Sequence, residues 1–181
     1  MIMKKIMMML AAVLCCSAMM YLLSSCNKPV NPPTPEKKLE AEMTYKFRVN
    51  AKIRSHFDVT VEYYDADGQV KSEQVTDEGS FEKKVRTKLP CKLGMRVLLQ
   101  VKEGQDVNTI RAFAGAYTYK VTGYVVDDDD YVVSDVAEVE DEVSFTIAEG
   151  KVAEWYEDHK DGLVSILYAF KEDKTFSRIE W

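Results

Sequence analysis

Hydrophobic and polar residues alternate along much of the chain after residue 42. The apolar members of the first two runs are Met43, Tyr45, Phe47, Val49, Ala51 and Ile53, then Phe57, Val59, Val61 and Tyr63. Alternation with a period of two is typical of β-strands that bury one face and expose the other. The pattern therefore predicts one strand over 43–53 and a second over 57–63.

Turn-forming residues separate further runs of the same kind. Asp65-Ala66-Asp67-Gly68 comes between the second run and residues 70–75, and an Asp-Gly pair in that position predicts a β-hairpin. Further predicted strands lie at 81–89, 96–102, 117–126, 131–139, 143–147, 164–170 and 176–181. The segment 81–89 is highly charged, which favours a position at a sheet edge.

One segment has a different period. Val152, Trp155, Tyr156 and His159 are spaced by three, one and three residues, which is the apolar stripe of a short helix. Many short strands at roughly ten-residue spacing, with one short helix over 152–158, favour a sandwich. We predict an all-β fold over residues 39–181, an antiparallel two-sheet immunoglobulin-like sandwich.

The first 26 residues carry the pattern of a secretory signal. Lys4 and Lys5 precede a mainly apolar stretch over 6–23, and small residues follow it. The four residues Leu23-Ser24-Ser25-Cys26 resemble the lipobox of bacterial lipoproteins. The resemblance implies removal of residues 1–25 as a signal peptide, attachment of a diacylglyceryl group to Cys26, and acylation of the new amino group by a fatty acid such as palmitate. An uncleaved membrane helix is the alternative, since about 18 apolar residues can span a bilayer.

Residues 26–38 are the lipidated cysteine and a proline-rich linker, which holds four of the five prolines of the chain. Such a segment favours an extended polyproline conformation, at about 3.1 Å per residue, over a packed core. We expect it to act as a spacer between a membrane and the folded domain. A ligand for a proline-recognition domain is the alternative.

Net charge and cysteine content limit which partners the domain can bind and whether it can form a disulfide. The formal net charge of the chain is −6, and loss of Lys4 and Lys5 with the signal takes it to −8. An acidic domain is a poor partner for nucleic acid, and anionic lipid repels it, so the lipid on Cys26 is the expected membrane contact. Cys91 is then the single remaining thiol, which excludes an intramolecular disulfide. We interpret it as a small buried hydrophobe, with a reactive thiol as the alternative.

The segment 58–75, Asp-Val-Thr-Val-Glu-Tyr-Tyr-Asp-Ala-Asp-Gly-Gln-Val-Lys-Ser-Glu-Gln-Val, resembles a strand–turn–strand of small lipoproteins from gut Bacteroidetes. The resemblance implies a β-sandwich lipoprotein of the bacterial cell envelope, anchored in the outer membrane, and brings no activity or cofactor with it. Surface-exported lipoproteins of that phylum tend to carry acidic residues directly after the cysteine. Asn27-Lys28-Pro29 depart from that pattern, which favours the periplasmic face.

Candidate chemistry is sparse. His56 and His159 have no further ligands at metal-binding spacing, and the sequence contains no nucleophile elbow and no phosphate-binding glycine loop. Asp65-Ala66-Asp67-Gly68 lacks the third acidic position and the distal glutamate of a calcium loop. The candidate metal ligands are the consecutive carboxylates of Asp127, Asp128, Asp129 and Asp130, for calcium; a solvated acidic turn is the alternative.

Aromatic residues suggest a second kind of site. Most occupy inward positions of the alternation, where they fill a core, whereas Tyr64, Tyr124 and Trp181 are out of phase or terminal. These three are the candidates for stacking on a glycan. We expect a non-enzymatic binding or structural module for an envelope protein or glycan. The alternatives are a carbohydrate-binding module and a glycoside hydrolase with two carboxylates about 5–10 Å apart in a cleft.

Overall fold

Two antiparallel sheets make up the computed structural model, which describes residues 37–181 of the chain. The strands are β1 (Glu40–Val49), β2 (Phe57–Tyr64), β3 (Val70–Gln74), β4 (Ser80–Lys88), β5 (Cys91–Val101), β6 (Phe113–Val126), β7 (Ala137–Ile147), β8 (Val164–Phe170) and β9 (Phe176–Ile179). The helices are α1 (Ala51–Arg54) and α2 (Val152–His159), with a 3-10 turn at Val107–Thr109. The predicted all-β, two-sheet antiparallel sandwich is confirmed.

Strand order shows how the chain builds each sheet. The first sheet has the order β4-β1-β6-β7, and the second has the order β3-β2-β5-β8-β9. Among the strands of residues 37–181, only β2–β3, β6–β7 and β8–β9 join neighbours that are consecutive in sequence. The remaining pairs, such as β1 with β4 and β6, require long-range pairing that a local pattern does not specify.

The core lies between the two sheets and is built from the inward residues of the alternation. Tyr45 and Phe47 of β1 and Val61 and Tyr63 of β2 are all buried. The ring centroids of Tyr45 and Tyr63 lie 6.1 Å apart, across the interface between the sheets. Complete burial of one large apolar side chain stabilises the fold by about 1.5–3 kcal/mol, so these inward residues supply the main driving force for folding.

The first strand ends earlier than the alternation predicts. Strand β1 stops at Val49, and Ala51 and Ile53 belong to α1 instead. The side chain of Asn50 accepts a hydrogen bond from the N–H of Ile53 at 3.1 Å, which caps the helix start. Ile53 is completely buried in this helix, so an inward apolar position is kept while the backbone changes direction.

Three other boundaries differ from the prediction. Strand β5 begins at Cys91, directly after a cis Leu89–Pro90 bond, and β6 begins at Phe113. The predicted strands 131–139 and 143–147 belong to a single strand, β7 (Ala137–Ile147), whereas residues 127–136 form a loop. The prediction is therefore wrong for residues 131–136 and for the break between the two strands. In this loop Ser134 Oγ accepts a hydrogen bond from the N–H of Val125 at 2.8 Å, where a strand would offer a backbone carbonyl.

The predicted helix is confirmed as α2. Val152 is buried, and the ring of Trp155 packs against Phe57 and Phe145, at centroid distances of 5.9 and 5.0 Å. The helix therefore buries its apolar stripe on the aromatic end of the core. Over residues 37–181, no helix is long and apolar enough to cross a membrane.

Candidate functional site

The predicted lipid attachment site, Cys26, lies outside the residues that the structure describes. The same holds for the signal segment and for the linker before Lys37. The lipidation of Cys26 therefore stays a prediction.

The candidate calcium ligands form a closed turn. Asp127 is 4% exposed, and its Oδ1 accepts hydrogen bonds from the N–H groups of Asp129 and Tyr131, both at 3.0 Å. Asp130 adopts a left-handed conformation with φ of 63°, which lets the chain reverse. One carboxylate oxygen from each of Asp127, Asp128 and Asp129 lies within 4.8 Å of the others.

Two cations of the protein itself hold this acidic turn. Lys37 Nζ donates to Asp127 Oδ2 at 2.7 Å and to Asp129 Oδ2 at 2.8 Å. Arg86 forms ion pairs with Asp130 and with Glu40, the latter at 2.7 Å. The carboxylates that the sequence suggests for calcium are therefore used, for the most part, in ion pairs with the start of the domain and with β4.

The ion pairs shift the acid–base behaviour of the turn. The hydrogen bond from Lys37 is the main cause that lowers the pKa of Asp127 below its ordinary value. The hydrogen bond to Asp127 is likewise the main cause that raises the pKa of Lys37. Both groups therefore stay charged over the neutral pH range.

Two of the three candidate aromatic residues meet on the outer face of the second sheet. The ring centroids of Tyr64 and Trp181 lie 5.2 Å apart. The guanidinium carbon of Arg96 lies 5.0 Å from the Trp181 centroid, and Arg96 Nε donates to Glu62 Oε2 at 2.7 Å. We name these four residues, Glu62, Tyr64, Arg96 and Trp181, the Trp181 cluster.

The Trp181 cluster combines features that suit a ligand with both a flat face, which can stack on a ring, and polar groups, which can form hydrogen bonds. The three larger side chains are half-buried, so each keeps an accessible part. The indole Nε1 of Trp181 is buried and has no hydrogen-bond partner within residues 37–181. Arg96 and Glu62 add a donor and an acceptor beside the rings.

Tyr124 lies apart from the Trp181 cluster. It is on β6 of the first sheet, where its hydroxyl donates to the buried carboxylate of Glu42. Burial alone would raise the pKa of Glu42, but hydrogen bonds from Lys84 and Tyr124 lower it. The three candidate rings thus lie on the two opposite sheets and do not form one aromatic platform.

The aromatic end beside α2 offers less to a ligand than its composition suggests. A shallow depression of about 360 Å³ there is lined by Trp155, Ile147, Lys151, Glu154 and Asp158, among others. His159 stacks on Trp155 at 4.9 Å with an interplanar angle of 19°, and Phe145 lies at 5.0 Å with an angle of 31°. Both neighbours pack on the indole ring of Trp155, which is partly buried against the core.

The remaining polar candidates have local structural roles. His56 Nδ1 lies 3.3 Å from Gln105 Oε1, and His159 Nδ1 lies 2.7 Å from the carbonyl oxygen of Trp155. Asp65 Oδ1 accepts the N–H groups of Asp67 and Gln69, both at 2.9 Å, which closes the predicted hairpin turn. Cys91 is half-buried, and burial raises the pKa of its thiol to about 11.

Sequence reasoning missed the cationic partners of these sites. Lys37 and Arg86 hold the acidic turn, and Arg96 lies over Trp181. The outward positions of Arg86 and Arg96 could be read from the alternation, whereas Lys37 precedes it. The partners of all three lie on other elements and depend on sheet order.

No protein-family model, curated protein or solved structure matches the chain. The residues and geometry described above are therefore the basis for any functional assignment.

Proposed function

We propose that this chain is a lipid-anchored protein of the bacterial cell envelope whose sandwich acts as a non-enzymatic binding or structural module. The observation that carries the proposal is Leu23-Ser24-Ser25-Cys26, a lipobox-like sequence directly after a charged start and an apolar stretch. Two or more acyl chains on one cysteine anchor a protein stably, because each buried methylene contributes about 0.8 kcal/mol.

The start of the domain fits a tethered module. Strand β1 begins at Glu40, two residues after the proline-rich linker, and pairs at once with Lys88 and Val126 of the neighbouring strands. Lys37 and Arg86 fasten this entry point to the acidic turn.

The carboxyl groups of the domain whose pKa is lowered act as acceptors in ion pairs and turns. In the described part of the chain these groups are Glu42, Asp65, Glu73, Asp106, Asp127, Glu154 and Asp173. A glycoside hydrolase would need a general acid whose pKa is raised, so these groups do not suit that role.

A glycan ligand at the Trp181 cluster is the second candidate function. Two adjacent rings, an arginine and a carboxylate provide a stacking face together with hydrogen-bonding groups. The test is a glycan-array screen of the purified protein, followed by calorimetry with the best hit. Trp181→Ala is expected to abolish binding, and Tyr124→Phe, on the opposite sheet, is the matched control. An array on which the parent protein binds nothing would reject this candidate.

The anchor is tested by membrane fractionation of bacteria that express the full chain. The parent protein is expected to remain in the membrane pellet after an alkaline carbonate wash, and Cys26→Ser is expected to lose its lipid and its mature form. Cys91→Ser is the matched control, because it removes the other cysteine of the mature chain. Identical fractionation and processing of Cys26→Ser and parent would overturn the proposal.

A further inference from the structure

The first sheet ends at two strands that have no further neighbour. Its order is β4-β1-β6-β7, so β4 and β7 each pair on one side only within residues 37–181. An unpaired strand edge presents a row of free N–H and C=O groups and can template pairing with another strand.

The register identifies the backbone groups that β7 turns to its edge. The N–H of Asn50 donates to the carbonyl of Ala116 at 2.9 Å. The backbone N–H and C=O groups of the even-numbered residues of β6 therefore point toward β1. Odd-numbered residues of β6 then face odd-numbered residues of β7, as in the pair Tyr119–Asp141. The backbone N–H and C=O groups of the even-numbered residues of β7 therefore point to the free edge of the sheet. In agreement with this direction, the N–H of Glu142 donates to the side chain of Asp141 at 2.8 Å rather than to a neighbouring strand.

The same argument applies to β4. The N–H of Val49 donates to the carbonyl of Gly79 at 2.8 Å, in the register that pairs β1 with β4. The odd-numbered residues of β4 therefore point their backbone N–H and C=O groups toward β1, and the even-numbered residues of β4 point theirs to the free edge.

The two edges carry opposite charge. The residues of β7 that turn to its edge include Glu138, Glu140 and Glu142, whereas those of β4 include Lys84, Arg86 and Lys88 together with a single acidic residue, Glu82. Their side chains all lie on the outer face of the same sheet, since the inward positions hold residues such as Phe81 and Phe145. The edges of one sheet are thus complementary to each other.

Strand direction permits the two edges to meet. Three antiparallel pairings separate β4 from β7 in the sheet, so these strands run in opposite directions. A second copy placed beside the first in the same orientation therefore brings its β4 antiparallel to β7 of the first copy.

We propose that copies of this chain associate head to tail by pairing β7 of one copy with β4 of the next. In the register that matches the most charges, the opposing pairs are Glu138 with Lys88, Glu140 with Arg86 and Glu142 with Lys84. The contact is heterologous, because each copy contributes two different surfaces, so it extends the sheet from copy to copy.

Internal ion pairs compete with the proposed contact for some of these charges. Lys120 holds Glu138 and Glu140, Arg86 holds Glu40 and Asp130, and Lys84 holds the buried carboxylate of Glu42. Pairs at the surface contribute little, so Glu138, Glu140 and Arg86 can exchange partners, whereas Lys84 also has to serve Glu42. Glu142 and Lys88 form no ion pair within the described part of the chain. The hydrogen bond from Glu142 N–H to Asp141 is the contact that strand addition must replace.

Like edges do not pair. A two-fold contact between two β7 strands would oppose the glutamates of both copies, and a contact between two β4 strands would oppose their cations. Like charges directly opposite each other in a sheet are destabilising. The charge pattern therefore selects the head-to-tail arrangement over a symmetric dimer.

A cysteine crosslink tests both the partner and the register. The double substitution Ser144→Cys with Glu82→Cys, in the full chain with Cys91→Ser, places two thiols opposite each other in the proposed contact. The Cα atoms of such an antiparallel pair lie about 5.5 Å apart, within disulfide reach. Mild oxidation is expected to give a ladder of dimers and larger species. The matched control, Ser144→Cys with Lys46→Cys, moves the second thiol from Glu82 to its partner on β1 and is expected to give no ladder.

Charge-swapped variants give an independent readout. Lys84→Glu with Lys88→Glu makes β4 acidic, and Glu138→Lys with Glu142→Lys makes β7 basic. Introduced into the crosslinkable chain, each pair is expected to lose the ladder alone, and an equimolar mixture is expected to restore it, which also shows that both variants fold. Equal crosslinking of the Glu82 and Lys46 pairs, no ladder from the Glu82 pair, or no recovery in the mixture would each overturn the proposal.

Discussion

The side chains of Lys37 and Asp127 meet although the residues are 90 positions apart: Lys37 Nζ lies 2.7 Å from Asp127 Oδ2. This contact joins the start of the domain to the loop between β6 and β7. Together with Arg86, it gives Asp127, Asp129 and Asp130 a structural role, because a lysine and an arginine supply the opposing charge.

Replacement of Lys37 by glutamine is expected to lower the melting temperature by at most about 3 °C at pH 7, since the pair is solvent-exposed on the lysine side. The folded pKa of Asp127 is below its unfolded value, so its stabilising effect is present above about pH 4 and is lost as the pH falls through the folded pKa. The pKa of Lys37 is raised, so its contribution is lost as the pH rises above about 10.

Thermal melts of the parent and Lys37→Gln at several pH values check this prediction. The difference between them is expected near pH 7 and is expected to shrink as the pH falls below about 4, the unfolded pKa of an aspartate. Lys38→Gln is the matched control, because the neighbouring lysine forms no ion pair among the residues described. A difference that persists unchanged at pH 3 would contradict the assignment.

Calcium is expected to leave the melting temperature of the parent protein unchanged at millimolar concentration. A ligand that binds the native state must raise this temperature, and Lys37 already holds two of the three clustered carboxylates. The same melt with EDTA is the reference, and a rise with calcium alone would revive the calcium hypothesis.

Gly94→Ala is expected to destabilise the sandwich by about 3 kcal/mol, the upper part of the usual range for overpacking. A Cβ atom at this position would lie 2.3 Å from the carbonyl oxygen of Ile166 and 2.7 Å from the Cα of Leu167, where β5 pairs with β8. Neither of these backbone atoms can move without disturbing the sheet.

Chemical denaturation, followed by tryptophan fluorescence, measures this change. Gly162→Ala is the control, since its Cβ would find its nearest neighbour, Ser165, at 3.9 Å. The control is expected to stay within about 0.5 kcal/mol of the parent protein. Similar losses in both variants would show that the β5–β8 contact is not the cause.

Cys91 is expected to react about a hundredfold more slowly in the folded protein than after unfolding in urea. Burial raises the pKa of its thiol from 9.0 to about 11, and the thiolate is the reactive form. The rate of labelling with Ellman's reagent at pH 8, with and without urea, checks this. Equal rates would show that the thiol is accessible and ionised in the native state.

Local pattern was sufficient for most strands and for α2, because alternation directly reflects which face of a strand is buried. It failed where a polar side chain redirects the backbone. Asn50 caps α1 within an alternating run, and Ser134 accepts the N–H of Val125 within a segment that the pattern predicts as a strand. Such side-chain to backbone bonds leave the hydrophobic pattern almost unchanged.

The candidate site was predictable only in part, for a different reason. The phase of Tyr64 and the terminal position of Trp181 single them out, but their meeting depends on the adjacency of β2, β5 and β8. Tyr124 has the same sequence signal, yet β6 places it on the other sheet. Side-chain clusters that cross strands follow sheet order, which is set by long-range pairing.

The intact mass of the protein purified from bacterial membranes tests the lipid anchor most directly. We expect a chain that begins at residue 26 and carries the added mass of a diacylglyceryl group and a further acyl chain, with both additions located on the N-terminal peptide. Recovery of the unmodified precursor mass, with Met1 through Trp181 intact, would contradict the account.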